Sequence, residues 1–122
     1  MKAMDIIDRV DLMEPNQYSP EQKLHWLSTL DGKLFYELVR PRHPEKEIQL
    51  PYQSGQEELL IPAPYGEDIY YNYLQAMIAA ENSEIQRYNR RMTMFNSLLT
   101  EFANWLNRVN APISGPDTKF IF

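Results

Sequence analysis

The chain has 122 residues and a formal net charge of −5, from 12 basic and 17 acidic side chains. This balance argues against sequence-independent binding to DNA or RNA, which needs a broad basic face, although it leaves room for one local basic patch. A hydrophobic content of 43% argues against global disorder. No apolar run approaches 18 residues, and the N-terminal residues lack the apolar segment of a signal peptide, so neither a membrane span nor a leader is expected. The absence of cysteine excludes disulfides and suits a reducing cytoplasm.

Proline placement predicts where helices run. All nine prolines lie outside residues 21–40 and 65–111, and proline is poorly tolerated inside a helix. Before the first of these stretches, Met4, Ile7, Val10 and, less regularly, Met13 recur at about one helical turn, which predicts a short first helix. The overall fold class is therefore mainly α, a helical bundle.

The second helix has a clear predicted start. Ser19 suits the N-cap, Pro20 the first helical position and Gln22 the third, so that Ser and Gln can satisfy two free backbone donors. Gly32 weakens the middle by roughly 1 kcal/mol relative to alanine, which allows a kink there. The predicted apolar face consists of Leu24, Leu27, Leu30 or Asp31, Leu34 and Leu38, widened by Trp26 and Phe35.

The helical period disappears in residues 41–64, which contain five of the prolines. Ile48, Leu50 and Tyr52 alternate with polar residues or proline, and residues 56–61 form a second candidate strand. Residues 53–56 could turn the chain between them. The segment is therefore either a small β-hairpin or a Pro-rich ordered loop.

A heptad seam gives the strongest periodic signal in the chain. It consists of Ile85, Tyr88, Met92, Phe95, Leu99, Phe102, Leu106 and Val109. Extended backwards, the pattern allows one rod over residues 67–109 or two helices that break near Asn82 and form a hairpin. The S-x-x-Q spacing of Ser83 and Gln86 resembles a capping box and favours two helices. A single helical domain is expected over residues 1–110.

Catalytic patterns are weak. The four glycines are too dispersed for a phosphate-binding loop, and His25 and His43 fit a helix surface and a loop better than a catalytic pair. Asp5, Asp8 and Asp11 would share a helix face that could bind a hard cation, but an acidic solvated face explains them better. We therefore expect no catalytic residue, no metal, no cofactor and no small-molecule substrate, and the protein is predicted not to be an enzyme.

Two further features suggest contact with other proteins. Arg87 and Arg91 align one helical turn apart and could face a phosphate group, or instead pair with Glu84 or remain solvated. Residues 111–122 contain two prolines and a glycine in their first part, so they are predicted to form an extended C-terminal tail. The candidate interaction residues are Phe120, Ile121, Phe122, Arg87 and Arg91.

The chain resembles small structural proteins of tailed phages and prophages of Gram-positive gut bacteria. The similarity is carried by MKAMDIIDRV at 1–10, SPEQKLHWL at 19–27, LLIPAPY at 59–65, and YN, MFN and FANW at 88–89, 94–96 and 102–105. It implies a head-to-tail connector, or head-completion adaptor. Such a subunit would be made in the bacterial cytoplasm, reside in the virion and form a homo-oligomeric ring on the portal.

This resemblance also implies partners. The ring would contact the portal and the tail-completion proteins, and its channel could touch DNA passively, without any membrane contact. Residues 120–122 would suit docking on the portal. The acidic balance and the Pro-rich insert depart from what the resemblance would lead one to expect. Two alternatives remain, a host-cell adaptor or regulatory module whose seam receives a partner helix, and a small metal-dependent enzyme that uses the acidic face.

Overall fold

The computed structural model describes residues 1–109, of which 67% are helical, so the mainly-α prediction is confirmed. The four α-helices are α1 (Ala3–Met13), α2 (Pro20–Leu34), α3 (Tyr65–Glu81) and α4 (Ile85–Val109). A single π-helical turn, Phe35–Val39, continues α2. The predicted tail, with Phe120, Ile121 and Phe122, lies outside the described residues.

Local signals set the starts of α1 and α2. At α1, the Asp5 carboxylate accepts a hydrogen bond from the Lys2 backbone N–H at 3.0 Å. At α2, the Ser19 hydroxyl accepts from the Gln22 N–H at 3.1 Å, with Pro20 in the first position as predicted. The departure from α-helical geometry follows Leu34 rather than Gly32.

The third and fourth helices are separate, and a Schellman motif ends α3. Ser83 lies in the left-handed region with φ of 59°. Its N–H donates to the Ala80 carbonyl at 3.1 Å, and the Glu84 N–H donates to the Ala79 carbonyl at 2.8 Å. Helix α4 then starts at Ile85. The predicted break is therefore in the right place, although Ser83 closes α3 instead of capping α4.

The heptad seam packs within the molecule. Helices α3 and α4 lie against each other along their length as a helical hairpin. Phe95 meets Tyr73 at a ring-centroid distance of 5.3 Å, and Phe102 meets Tyr65 at 5.3 Å. Ile85, the first residue of the seam, is the exception because it remains 71% exposed.

No strand occurs within residues 41–64, so the small β-hairpin is not confirmed. Instead, residues 57–59 pair with the N-terminal residues through one antiparallel bridge, Lys2 with Glu58. The predicted first strand cannot form a ladder here because Pro51 lacks a donor and the Tyr52 N–H donates to the Ser28 hydroxyl at 2.9 Å. The segment therefore follows an irregular path across the helices.

Apolar residues from all four α-helices and from residues 52–61 form one core cluster. Its fully buried members include Ile7, Leu27, Ile61, Leu74 and Phe102. Within residues 1–109, no helix combines the length and the apolar character that crossing a lipid bilayer requires.

Candidate interaction surface

A buried carboxylate fastens the irregular segment to the helices. Asp31, on α2, has no exposed surface. Its oxygens accept hydrogen bonds from the Tyr52 and Tyr70 hydroxyls, each at 2.5 Å, and from the Leu60 N–H at 3.0 Å. The Tyr70 hydroxyl in turn accepts from the Ile61 N–H at 2.9 Å. One side chain thus ties α2 to α3 and to both ends of residues 52–61.

Burial controls the protonation of this cluster. Desolvation raises the pKa of Asp31, against the lowering effect of its hydrogen bonds from Tyr52, Tyr70 and Leu60. Desolvation and the nearby Asp31 charge raise the pKa of both tyrosines, so both hydroxyls stay protonated donors at neutral pH. Because Asp31 is sealed from solvent and holds three donors, it stabilises the fold and offers no open site. From the sequence, either Leu30 or Asp31 was expected on the apolar face of the second helix. The hydrogen-bond partners of Asp31 could not be read from this periodicity.

The turn after Tyr52 is held by a second carboxylate. Glu57 accepts hydrogen bonds from the backbone N–H groups of Gln53, Ser54 and Gly55 at 2.7, 3.1 and 2.8 Å. The hydrogen bonds from Gln53 and Ser54 lower the pKa of Glu57 to about 2. Gly55 has φ of 83°, a conformation that glycine adopts at no steric cost. Successive N–H groups of this kind form an anion site, and here the chain's own carboxylate fills it.

Arg87 is drawn into contacts inside the molecule. Its side chain is 17% exposed and pairs with Glu14 at the end of α1. It also donates to the Gln75 side-chain oxygen at 2.6 Å, and it lies 3.6 Å from Glu84, the pairing considered from the sequence. Arg87 therefore joins α1, α3 and the start of α4.

Arg91 lies one turn further along α4. It donates to the Asn72 side-chain oxygen at 3.1 Å and lies over the Tyr71 ring at 5.5 Å. Arg9 from α1 lies over the same ring at 4.1 Å. These contacts account for Arg87 and Arg91 as links between helices, and a role for either in binding a partner stays a prediction.

The three acidic residues of α1 have separate roles. Asp5 caps the helix, Asp11 lies 2.8 Å from the buried Lys23 amine, and Asp8 is exposed. His25 is exposed on α2, and His43 contacts Glu45 at 3.2 Å. In the part of the chain that the structure describes, no three histidine or carboxylate side chains are placed to hold a metal ion.

Large apolar side chains are exposed at one end of the bundle. Leu12 and Met13, at the end of α1, are 82% and 65% exposed, and Ile85 at the start of α4 is 71% exposed. The ion pair between Glu14 and Arg87 holds these two helix ends together. The Tyr18 hydroxyl also donates to the Asn82 side chain at 2.7 Å, which places the loop after α1 beside the α3–α4 turn.

A shallow hollow of about 210 Å³ lies at the same end. It is lined by Ala79, Ala80, Ser83, Glu84, Ile85 and Tyr88. We call Leu12, Met13, Ile85 and this hollow the apolar end. Sequence periodicity included Met13 and Ile85 in helix faces, but it could not show that either side chain lacks a covering helix.

A comparison with protein-family models finds no match, and comparisons with curated proteins and with solved structures find no similar protein.

Proposed function

We propose that this protein is a structural subunit of a phage virion that assembles through its apolar end as a head-to-tail connector on the portal. The observation that carries the assembly part of the proposal is the exposure of Leu12, Met13 and Ile85 at one end of a bundle whose core is otherwise filled. The sequence resemblance suggests the kind of assembly, and these exposed side chains suggest the surface.

Exposed apolar side chains at adjoining helix ends favour association. Complete burial of a leucine, isoleucine or methionine side chain contributes about 1.5–3 kcal/mol. Leu12 and Ile85 retain most of their surface for such burial by another protein. Contiguous apolar surface that a monomer leaves uncovered commonly marks a protein–protein contact. The hollow beside Ile85 gives an incoming side chain a place to insert.

The ring form of the proposal follows from symmetry. Contact between the apolar end of one copy and a different surface on its neighbour is heterologous, and such contacts close into a ring when the rotation permits. Under this proposal, the portal and tail-completion proteins cover the two faces of the ring. A polar residue in place of an exposed apolar one would then weaken assembly while the fold persists.

The host-cell adaptor alternative loses part of its motivation. It requires the heptad seam to receive a partner helix, but Tyr73 and Tyr65 of α3 already pack on Phe95 and Phe102 of that seam. A partner helix would have to displace α3 or bind at the apolar end.

Solution mass tests the proposal. We would measure it by light scattering over a range of concentrations, for the chain alone and mixed with the portal protein encoded nearby. We expect a ring-sized species, or a complex that forms with portal. A chain that stays monomeric under every condition and does not bind portal would overturn the connector proposal.

A matched pair of variants tests the surface. Ile85→Ser lies in the apolar end, whereas Tyr36→Ser alters another large exposed side chain, 63% exposed, in the π-helical turn. We expect Ile85→Ser to reduce the assembled fraction and Tyr36→Ser to leave it unchanged, with similar thermal unfolding for both. Equal loss of assembly in the two variants would refute the assigned surface.

A further inference from the structure

A second surface hollow, of about 300 Å³, lies across the irregular segment. Its floor is apolar and includes Ile48, Tyr52 and Leu60. Its rim carries Glu47, Glu57 and Glu58. We call it the acidic groove. It shares no lining residue with the apolar end, and Ile48 and Leu60 in its floor are partly exposed.

One wall of the acidic groove contains an extended backbone. Within residues 57–59, the Glu57 carbonyl accepts from the Ala3 N–H at 3.0 Å, and the Leu59 N–H donates to the Met1 carbonyl at 3.0 Å. Because alternate residues of an extended chain point to opposite edges, the backbone groups of Glu58 face away from this pairing. No residue among 1–109 bonds to them. An extended segment could add a strand at such an edge.

The rim favours a basic segment. Glu57 remains ionised at neutral pH because its pKa is lowered to about 2 by its backbone donors. Glu47 lies 3.7 Å from Arg40, and Glu58 contacts the Met1 amine, but both carboxylates stay mostly solvent-exposed. Each can therefore still attract a lysine that approaches along the groove.

The chain itself contains a segment of matching chemistry. Lys119, which follows Asp117 by two residues, supplies one positive charge and precedes three apolar residues, Phe120, Ile121 and Phe122. In an extended conformation, Phe120 and Phe122 point to the same side, where two aromatic rings could cover the apolar floor, and the lysine would lie near the glutamate rim.

This segment is within reach. Helix α4 ends at Val109, and the Asn107 side chain in its last turns accepts a hydrogen bond from Arg42. Arg40, two residues earlier, pairs with Glu47 on the rim. An extended chain advances about 3.3–3.6 Å per residue, so the ten residues from Val109 to Lys119 can span roughly 33–36 Å.

We propose that the acidic groove binds residues 119–122 of the same chain, with the apolar side chains on Ile48, Tyr52 and Leu60 and the lysine beside Glu47 and Glu58. A tethered segment is present at millimolar effective concentration, so a modest contact suffices to occupy the groove. The bound segment withholds its apolar residues from other proteins until one competes for them. This inference is independent of the connector proposal, since it concerns a contact inside one chain.

Cysteine cross-linking in the full-length chain tests the proposal, since the natural sequence has no cysteine. The test variant combines Gln49→Cys, on the groove, with Thr118→Cys, beside the docking segment. The control combines Glu81→Cys, at the end of α3 beside the start of α4, with the same Thr118→Cys. The control pair can meet within one chain only when the nine residues after α4 are almost fully extended back along it, because α4 spans about 37 Å at 1.5 Å per residue and those residues reach about 31 Å.

We expect mild oxidation to give a monomeric, internally cross-linked chain at least about tenfold faster in the test variant than in the control, as tethering predicts. A cross-linked dimer would show that the segment of a second copy occupies the groove and would overturn binding within one chain. Equal, slow cross-linking in the two variants would overturn occupancy altogether.

A substitution in the apolar floor of the acidic groove distinguishes specific binding of the segment from random collisions of the two cysteines. Ile48→Ser, added to the test variant, should slow cross-linking several-fold because it removes apolar contact area. Leu50→Ser is the matched control, since Leu50 is a neighbouring exposed residue that does not line the groove. Circular dichroism would confirm that both variants stay folded. If Ile48→Ser leaves the rate unchanged, the apolar floor does not hold the segment.

Discussion

Substitution of Asp31 by leucine tests how the irregular segment is held. Leucine is apolar and similar in size, so it fills the space but accepts no hydrogen bond. The Tyr52 hydroxyl, the Tyr70 hydroxyl and the Leu60 N–H would all lose their acceptor. We therefore expect Asp31→Leu to destabilise the protein even though it removes a buried charge.

The magnitude follows from those three donors. A buried donor without a partner costs about 1–3 kcal/mol. Tyr70 has no exposed surface and Tyr52 is only 7% exposed, so both hydroxyls lie largely away from water. Removal of the buried carboxylate also offsets part of the decrease in the free energy of unfolding, because burial of that group is itself unfavourable. The expected net decrease in the free energy of unfolding is about 2–4 kcal/mol.

Urea unfolding followed by circular dichroism measures this decrease. With a slope of about 1–3 kcal/mol per molar urea for a small protein, the midpoint should fall by roughly 0.7–4 M. A double-mutant cycle with Tyr70→Phe should show coupling, because Phe removes one of the stranded donors. If Asp31→Leu were as stable as the natural chain, the carboxylate would not be what holds the segment.

Three further predictions concern stability. Ser83→Gly should raise the free energy of unfolding by about 0.5–1 kcal/mol, because glycine tolerates the left-handed position of the Schellman motif better, and thermal unfolding would show no gain if that strain were absent. The pKa of Glu57 is lowered from 4.5 to about 2, so the stability it contributes is present above pH 4.5 and lost as the pH falls towards 2. Glu57→Gln should therefore remove that part of the pH dependence of the free energy of unfolding. The same pH dependence in the variant and the natural chain would contradict this prediction. Phe102→Ala should lower the free energy of unfolding by about 3–5 kcal/mol in denaturant, because Phe102 is fully buried. Met94→Ala is the control, since Met94 is half exposed on the same helix, and it should change that free energy by no more than about 0.5 kcal/mol. Similar losses in the two variants would show that α4 does not pack through the seam.

Features determined by neighbouring residues could be predicted from the sequence. The start of α2 depends on residues that lie close together in the chain: Ser19 caps the helix and Pro20 takes its first position as predicted, whereas the return bond from the Gln22 side chain to the Ser19 N–H does not form. The break between α3 and α4 was predicted near Asn82 from the spacing of Ser83 and Gln86, and it lies there, although Ser83 ends α3 instead of capping α4. The exact turn was not predicted, since serine is an uncommon residue at a left-handed position.

Features that depend on distant residues could not be predicted in this way. The acceptor role of Asp31 depends on Tyr52 and Tyr70, which are 21 and 39 residues away. The contact between Arg87 and Glu14 spans 73 residues. A heptad pattern also looks the same whether the partner helix belongs to the same chain or to another protein, so periodicity alone could not distinguish the exposed Ile85 from the buried Phe102.

The position of Asp31 in the chain also has a consequence for the order of folding. Helices α3 and α4 adjoin in sequence and make most of their contacts with each other, so this hairpin can form early at low cost in loop entropy. The Asp31 contacts close loops of 21–39 residues and require α2, α3 and the irregular segment to be in place already. We therefore expect these contacts to be absent from the folding transition state, so that Asp31 variants accelerate unfolding and leave the folding rate nearly unchanged. Stopped-flow chevron plots of the natural chain and Asp31→Leu would show the difference in their unfolding arms, which makes this carboxylate a determinant of how long the native state lasts.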